Sequence, residues 1–183
     1  NLTAQMMNES TLNKSSEDLS VALQKLGSTV SFSSEGDVTT LFIESLTENF
    51  SQTISLVEDK LLNPAFNEED FKRIKKTNSE GLESMKKNSQ YLASTTMGKV
   101  LYGDTPYGNS MSEKNLKKIK LKDVKEFYNN YSPNVSELVA VGNISKDEFY
   151  SQLDFLKKWE NKNINLPSNF EFPSDNTTQI YLL

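Results

Sequence analysis

Histidine and cysteine are both absent from the 183-residue chain. Without them a Ser-His-Asp triad, a cysteine nucleophile, a disulfide framework, a zinc finger and any histidine-based metal site are excluded within this chain. A metal would have to rest on carboxylates and carbonyls, which suit calcium, magnesium or manganese better than zinc. Arginine is almost missing: Arg73 stands alone among 20 basic residues, so bidentate forks onto phosphate or carboxylate are scarce. The preference for Lys over Arg and the many Asn residues look like the imprint of an AT-rich genome. An excess of basic charge is lacking as well. The net charge is -5, which argues against a nucleic-acid partner, because phosphate neutralisation needs a clustered basic surface. No stretch approaches 18 consecutive apolar residues, so no membrane span is expected. No signal peptide is visible at the start, and no internal repeat or low-complexity block interrupts the chain. What is present is 36% apolar, 10% aromatic and 25% charged residues. That mixture can bury a core, and the length suits one domain or two small ones.

Local signals divide the chain into helices and a hairpin. Asn1 to Asn8 is compatible with a helix. Ser15 or Ser16 can cap the next one, Glu17 and Asp18 suit its first turn, Leu19, Ala22, Leu23 and Leu26 form its face, and Gly27 ends it. Ser28 to Ser34 and Val38 to Ser45 alternate around a Ser34-Glu35-Gly36-Asp37 turn, which predicts an antiparallel hairpin. Thr47 is placed as the cap of a helix with Phe50, Ile54, Val57 and Leu61 on one face, stopped by Pro64. Asn67 opens a longer helix with Phe71, Ile74, Leu82 and Met85 inward, interrupted by Asn78 and Gly81. A further helix is expected over about 90–101, a loop over 103–108, and a short helix from Leu121 to Tyr131, stopped by Pro133. Leu138 to Val141 reads as a buried apolar strand, and Ser145-Lys146-Asp147-Glu148 as a capping box for a helix carrying Phe149, Leu153, Leu156 and Trp159.

Strands and helices do not alternate regularly. The expected fold class is α+β, with helices packed on one face of an antiparallel or mixed sheet. Three visible strands make a thin sheet, so further strands are expected before residue 1. One domain is predicted over 1–159, a linker over 160–178, and the first strand of a following domain over 179–183, all suggesting a fragment truncated at its N-terminus.

Generic catalytic constellations are outweighed by plain structural roles. Glu68-Glu69-Asp70 sits at a helix start, where the macrodipole favours acids. Glu35 and Asp37 flank a turn. The 103–108 loop lacks the Lys-Ser/Thr of a phosphate-binding loop. Phe127, Tyr128 and Tyr131 fall at helical spacing, which suits core packing better than base stacking.

A set of short motifs in order is more specific. Leu2-Thr3-Ala4-Gln5-Met6-Met7-Asn8-Glu9-Ser10-Thr11, the Leu26-Gly27 helix end with its hairpin, Leu61-Leu62-Asn63-Pro64-Ala65-Phe66, Asp70-Phe71-Lys72-Arg73-Ile74-Lys75, Thr105-Pro106-Tyr107-Gly108, Phe127-Tyr128-Asn129-Asn130-Tyr131-Ser132-Pro133 and Val139-Ala140-Val141-Gly142-Asn143 follow one another. Over residues 1–159 this series resembles a domain of the insulinase/pitrilysin (inverzincin) zinc metallopeptidases. Active domains of that family carry a His-x-x-Glu-His motif on their first helix. By that resemblance the two His positions fall on Asn1 and Gln5, the Glu position on Ala4, and a third ligand, a Glu on a later helix, on Gly81. All four are replaced. Catalytic zinc needs three side-chain ligands and a nearby base for its water. The resemblance therefore implies a ligand-free domain, the first of a non-catalytic half, with no metal and no catalytic residue of its own.

In the family, two halves enclose a chamber, and the ligand-free half closes it and helps bind peptide. The expected partners are a catalytic, zinc-bearing half, in the same chain or on a partner subunit, and unfolded peptides. A substrate-contacting Arg and Tyr of full-length relatives lie in the second domain, outside this segment. One substrate-facing element is implied within it: a strand that pairs with peptide through its backbone, here Thr29, Val30, Ser31, Phe32 and Ser33. The family's usual Asn-Ala pair there reads Val30-Ser31. The expected compartment is the bacterial periplasm or cell envelope. The alternative is a degenerate peptidase-like scaffold with no part in proteolysis, as in relatives that became structural subunits of a respiratory complex.

Overall fold

The computed structural model describes residues 1–166, 171, 172 and 180. It is helix-rich, with eight α-helices and a single two-stranded sheet among the described residues. The chain divides into two compact units. One comprises Asn1–Ile74 with Lys120–Leu166; the other comprises Lys75–Ile119 with Pro167–Leu183.

The first unit is built around a short helix, α1 (Leu2–Met7), whose Leu2, Thr3, Ala4, Met6 and Met7 are all buried. A six-residue helix has too few turns to stand alone; here it is stabilised by burial nearly all round. Helix α2 (Ser16–Leu26) begins where the Ser15 side chain accepts from the Asp18 N–H, and ends at Gly27, which takes the left-handed conformation at φ 58°. Strands β1 (Thr29–Glu35) and β2 (Val38–Glu44) pair antiparallel, with Phe32 opposite Leu41 and Val30 opposite Ile43. The two-residue loop starts with Gly36 at φ 55°, the residue type that such a tight hairpin needs there. The hairpin base is pinned by hydroxyls. Thr53, fully buried, lies 2.7 Å from Ser28 Oγ and 2.9 Å from Ser45 Oγ.

A 3-10 turn at Thr47–Asn49 precedes helix α3 (Phe50–Leu62). Thr47 thus opens this turn, rather than capping the α-helix as its sequence suggested; its hydroxyl donates to the Asn143 carbonyl at 3.5 Å. Helix α4 (Glu68–Met85) is capped by Asn67, whose Oδ1 accepts from the Asp70 N–H at 2.8 Å. Phe71, Ile74 and Leu82 are buried as predicted, whereas Met85, at the helix end, is 50% exposed.

Helix α5 (Ser89–Tyr102) and helix α6 (Glu113–Lys118) belong to the second unit. Helix α6 was not anticipated, because its six residues bury only Leu116 and give no periodicity to read. In the same unit Tyr102, Tyr107 and Phe172 gather with ring centroids 5.6–6.1 Å apart.

Back in the first unit, helix α7 (Leu121–Tyr128) buries Leu121 and Val124. Phe127 is half exposed, less buried than its neighbours Tyr128 and Tyr131, though its ring meets Tyr131 edge-on at 6.0 Å. The capping box of helix α8 (Lys146–Gln152) forms as read, with Ser145 and Glu148 exchanging bonds, and a 3-10 turn (Asp154–Lys158) buries Phe155. Phe149 on α8 stacks on Phe50 of α3 at 5.9 Å.

The segment Leu138 to Val141 departs most from expectation. It is neither a strand nor buried: Leu138 is 54%, Val139 81% and Val141 97% exposed. Apolarity suited it for a sheet interior, but strand structure requires a neighbouring backbone, and among the described residues none pairs with it. The start of the expected linker, residues 160–166, is irregular and tied down: the Lys162 N–H donates to Ser132 Oγ and Asn134 Nδ2 donates to the Ile164 carbonyl. The expected strand over 179–183 lies outside the described residues, apart from Ile180.

Candidate functional site

Helix α1 and its N-cap carry three of the four positions at which the resemblance implies a lost metal site. Asn1 is its N-cap, is exposed, and makes no capping bond with its side chain. Its main-chain carbonyl accepts from the Gln5 N–H at 3.0 Å. Ala4 is 1% exposed, so its methyl group is packed where a general base would have to reach a water. Gln5 is half-buried. Two amides, a methyl group and a glycine are not a zinc donor set. Among the described residues no cluster of three acids, His or Cys could hold a metal ion. The residues do not fit zinc, and no chemical step is derived through it.

Gly81 lies in the second unit, inside the continuous helix α4. A Cβ placed there would meet nothing within 4 Å. Close packing therefore does not require glycine, and neither does backbone geometry, since its φ is not positive. Gly81→Ala is expected to stabilise the fold by about 0.5–1 kcal/mol, because glycine in a helix interior is that much worse than alanine. A denaturant midpoint that fails to rise would show that the glycine is needed for something the helix does not reveal.

The chain leaving α1 is held by a polar network. The buried Lys60 ammonium on α3 donates to the Asn8 carbonyl at 2.8 Å. Burial pushes its pKa below the usual lysine value, and nearby Glu9 pulls in the opposite direction. Arg73 on α4 pairs with Glu9 at 2.6 Å and with Asp70 at 3.0 Å. Asp70 also accepts from Ser10 Oγ at 2.9 Å and Asn67 Nδ2 at 2.7 Å. Partial burial pushes the Asp70 pKa up, but the bonds from Arg73, Asn67 and Ser10 together hold it below the ordinary carboxylate value. One residue further on, the buried Asp59 accepts from Thr11 Oγ1 at 2.6 Å, Asn13 Nδ2 at 2.5 Å and Asn63 Nδ2 at 3.2 Å.

Asn8 reaches from this network to the hairpin. Its Nδ2 donates to the Phe32 carbonyl and its Oδ1 accepts from the Phe32 N–H, both at 2.7 Å. Phe32 lies within Thr29–Ser33, the strand segment that the resemblance assigns to peptide. Along it Val30 and Phe32 are buried, Ser31 is half-buried, and Thr29 and Ser33 are exposed. The structure thus brings one candidate element, β1, against the end of another, α1. Asn8, Asp59 and Lys60 were not singled out by sequence. Polar residues near helix ends usually cap or face solvent, and no local pattern marks a long-range role.

The chain matches two family patterns. Residues 1–115 match Insulinase (Peptidase family M16), and residues 118–182 match Peptidase M16 inactive domain. No curated protein matches. Among solved structures it is similar to a peptidase M16 inactive domain from Pseudomonas fluorescens, with 24% identity and a TM-score of 0.78, covering 86% of this chain and 39% of that one. It is also similar to a protease from Helicobacter pylori, with 17% identity and a TM-score of 0.82, covering 94% of this chain and 43% of that one. The chain therefore spans about two-fifths of the length of these relatives. Among the described residues no helix is long and apolar enough to cross a membrane.

Proposed function

Since the chain belongs to the insulinase family, peptidase family M16, and carries its inactive type of domain, we infer that it is a non-catalytic element of a zinc metallopeptidase. In this reading it forms part of the wall of a peptide-binding chamber. The zinc site lies on a separate half, in the same polypeptide or on a partner subunit, and unfolded peptides are the substrates. The observation that carries the reading is the state of the four motif positions. Asn1, Ala4, Gln5 and Gly81 offer neither a ligand set nor a base, and Ala4 is sealed in the core.

A ligand-free wall can still bind. A strand edge recognises an extended peptide through its backbone, whatever its own side chains, so Thr29 to Ser33 keeps a peptide-facing role in this proposal. That role is open at Phe32 only when Asn8 is not bonded there. The contact between Asn8 and Phe32 favours a second reading, a scaffold domain with no part in proteolysis.

Two measurements test the proposal, and the second separates the two readings. The 183-residue chain, incubated with zinc and then dialysed, is expected to retain no stoichiometric metal and to cleave no quenched peptide. One tightly bound zinc per chain with hydrolysis would overturn the proposal. Added to a family member's half that carries an intact His-x-x-Glu-His motif and is encoded beside it, the chain is expected to raise peptide hydrolysis. An unchanged rate would leave the scaffold reading.

A further inference from the structure

Among the described residues strand β1 pairs with one strand only, β2. In an antiparallel ladder, successive residues turn their N–H and C=O alternately toward the partner strand and away from it. Phe32 is turned away from β2, because both of its main-chain groups meet the Asn8 side chain at 2.7 Å. A row of such outward groups is a template on which any extended chain can add as a further strand, so proteins cover or interrupt it.

The Asn8 amide offers Phe32 one donor and one acceptor side by side, the same pair that a residue of an adjoining strand would offer. Asparagine is suited to this: aspartate could accept from the N–H but not donate to the carbonyl, and alanine could do neither. The amide is also held from behind. The Asn8 N–H donates to the Gln5 carbonyl at 3.1 Å, and its carbonyl accepts from the Lys60 ammonium, which is 2% exposed. Among the described residues no other side chain clamps the main chain of this edge at Val30 or Ser34. The closure sits at the middle of the strand, where one blocked residue breaks a run of pairing.

We propose that Asn8 is an edge plug: its side chain closes β1 to strand addition, so that an extended peptide cannot pair through Phe32 while Asn8 is in place. This concerns the hairpin alone: it takes Phe32 out of the peptide-facing role proposed above for Thr29 to Ser33 and leaves the rest of the chamber-wall reading as it stands.

The test uses the whole chain and a fluorescein-labelled synthetic copy of Asp37 to Ser45, which contains β2, the strand that pairs with β1. Wild type is expected to show no saturable binding of this peptide. Asn8→Ala is expected to bind it, and to speed amide hydrogen exchange at Phe32 by about tenfold or more. Wild type binding the peptide as tightly as the variant would overturn the proposal. So would unchanged exchange at Phe32, or faster exchange without any gain in binding, which would reduce Asn8 to a local cap. Should Asn8→Ala not fold, Asn8→Asp carries the same comparison, since it removes the donor and keeps the side-chain size.

Discussion

Phe66→Ala is expected to cost about 3–5 kcal/mol of stability, the range for deleting a buried aromatic ring. The ring is buried and meets Tyr128 edge-on at 5.3 Å, and the Tyr128 hydroxyl donates to the Leu61 carbonyl at 2.6 Å. Phe66 therefore joins the loop before α4 to helix α7. The loop is also zipped to residues 10–12: Ala65 N–H donates to Ser10 O at 3.0 Å and Leu12 N–H donates to Asn63 O at 2.8 Å. Phe66 has φ 45°, a conformation unfavourable to any residue with a Cβ. The packing of the ring evidently outweighs this strain of about 1–2 kcal/mol. Strain and packing can be separated. Phe66→Gly also loses the ring but tolerates the positive φ, so it should be about 1 kcal/mol more stable than Phe66→Ala. Urea melts with unchanged slope would read both values. Equal midpoints for the two variants would mean that the backbone at 66 relaxes once the ring is gone.

The second large effect is expected at Asp59. Three donors converge on its buried carboxylate, from Thr11, Asn13 and Asn63. Asp59→Ala removes the acceptor and leaves the buried Thr11 hydroxyl without it, at a cost of about 2–4 kcal/mol, since bonds to a charged group are worth more than neutral ones. Asp59→Asn keeps one oxygen as acceptor and should lose roughly half as much. Thermal denaturation at neutral pH measures both. If the two variants are equally destabilised, the charge rather than the number of acceptors holds the loop after α1.

How much could be read in advance differs from element to element. Helices with chemical end markers were legible: Ser15 and Gly27 bound α2, Asn67 opens α4, and Ser145 with Glu148 opens α8. Gly36 at the hairpin loop was equally plain. Leu138 to Val141 was misread because apolar content reports what a segment would bury, not whether a neighbour is there to bury it. Helix α6 was too short to show a period. In the candidate site, the residue types at Asn1, Ala4, Gln5 and Gly81 are plain from the sequence, while their standing as motif positions comes from the resemblance alone. The hold of Asn8 on Phe32, 24 positions away, and of Lys60 on Asn8, 52 positions away, was not legible. Such bonds depend on tertiary placement, for which a polar side chain in a loop gives no periodic signal.

The bare stretch around Val139 and Val141 also bears on how this polypeptide behaves in solution. Among the described residues no backbone pairs with this stretch; an apolar ribbon left so invites copies to stick together, and mutual repulsion is the general counterweight. Here that repulsion comes from a net charge of only -5, and it vanishes near the isoelectric point of about 4.9. Colloidal stability is thus expected to depend on acidity and ionic strength, since mild acid or high salt weakens the charge repulsion that opposes such contact.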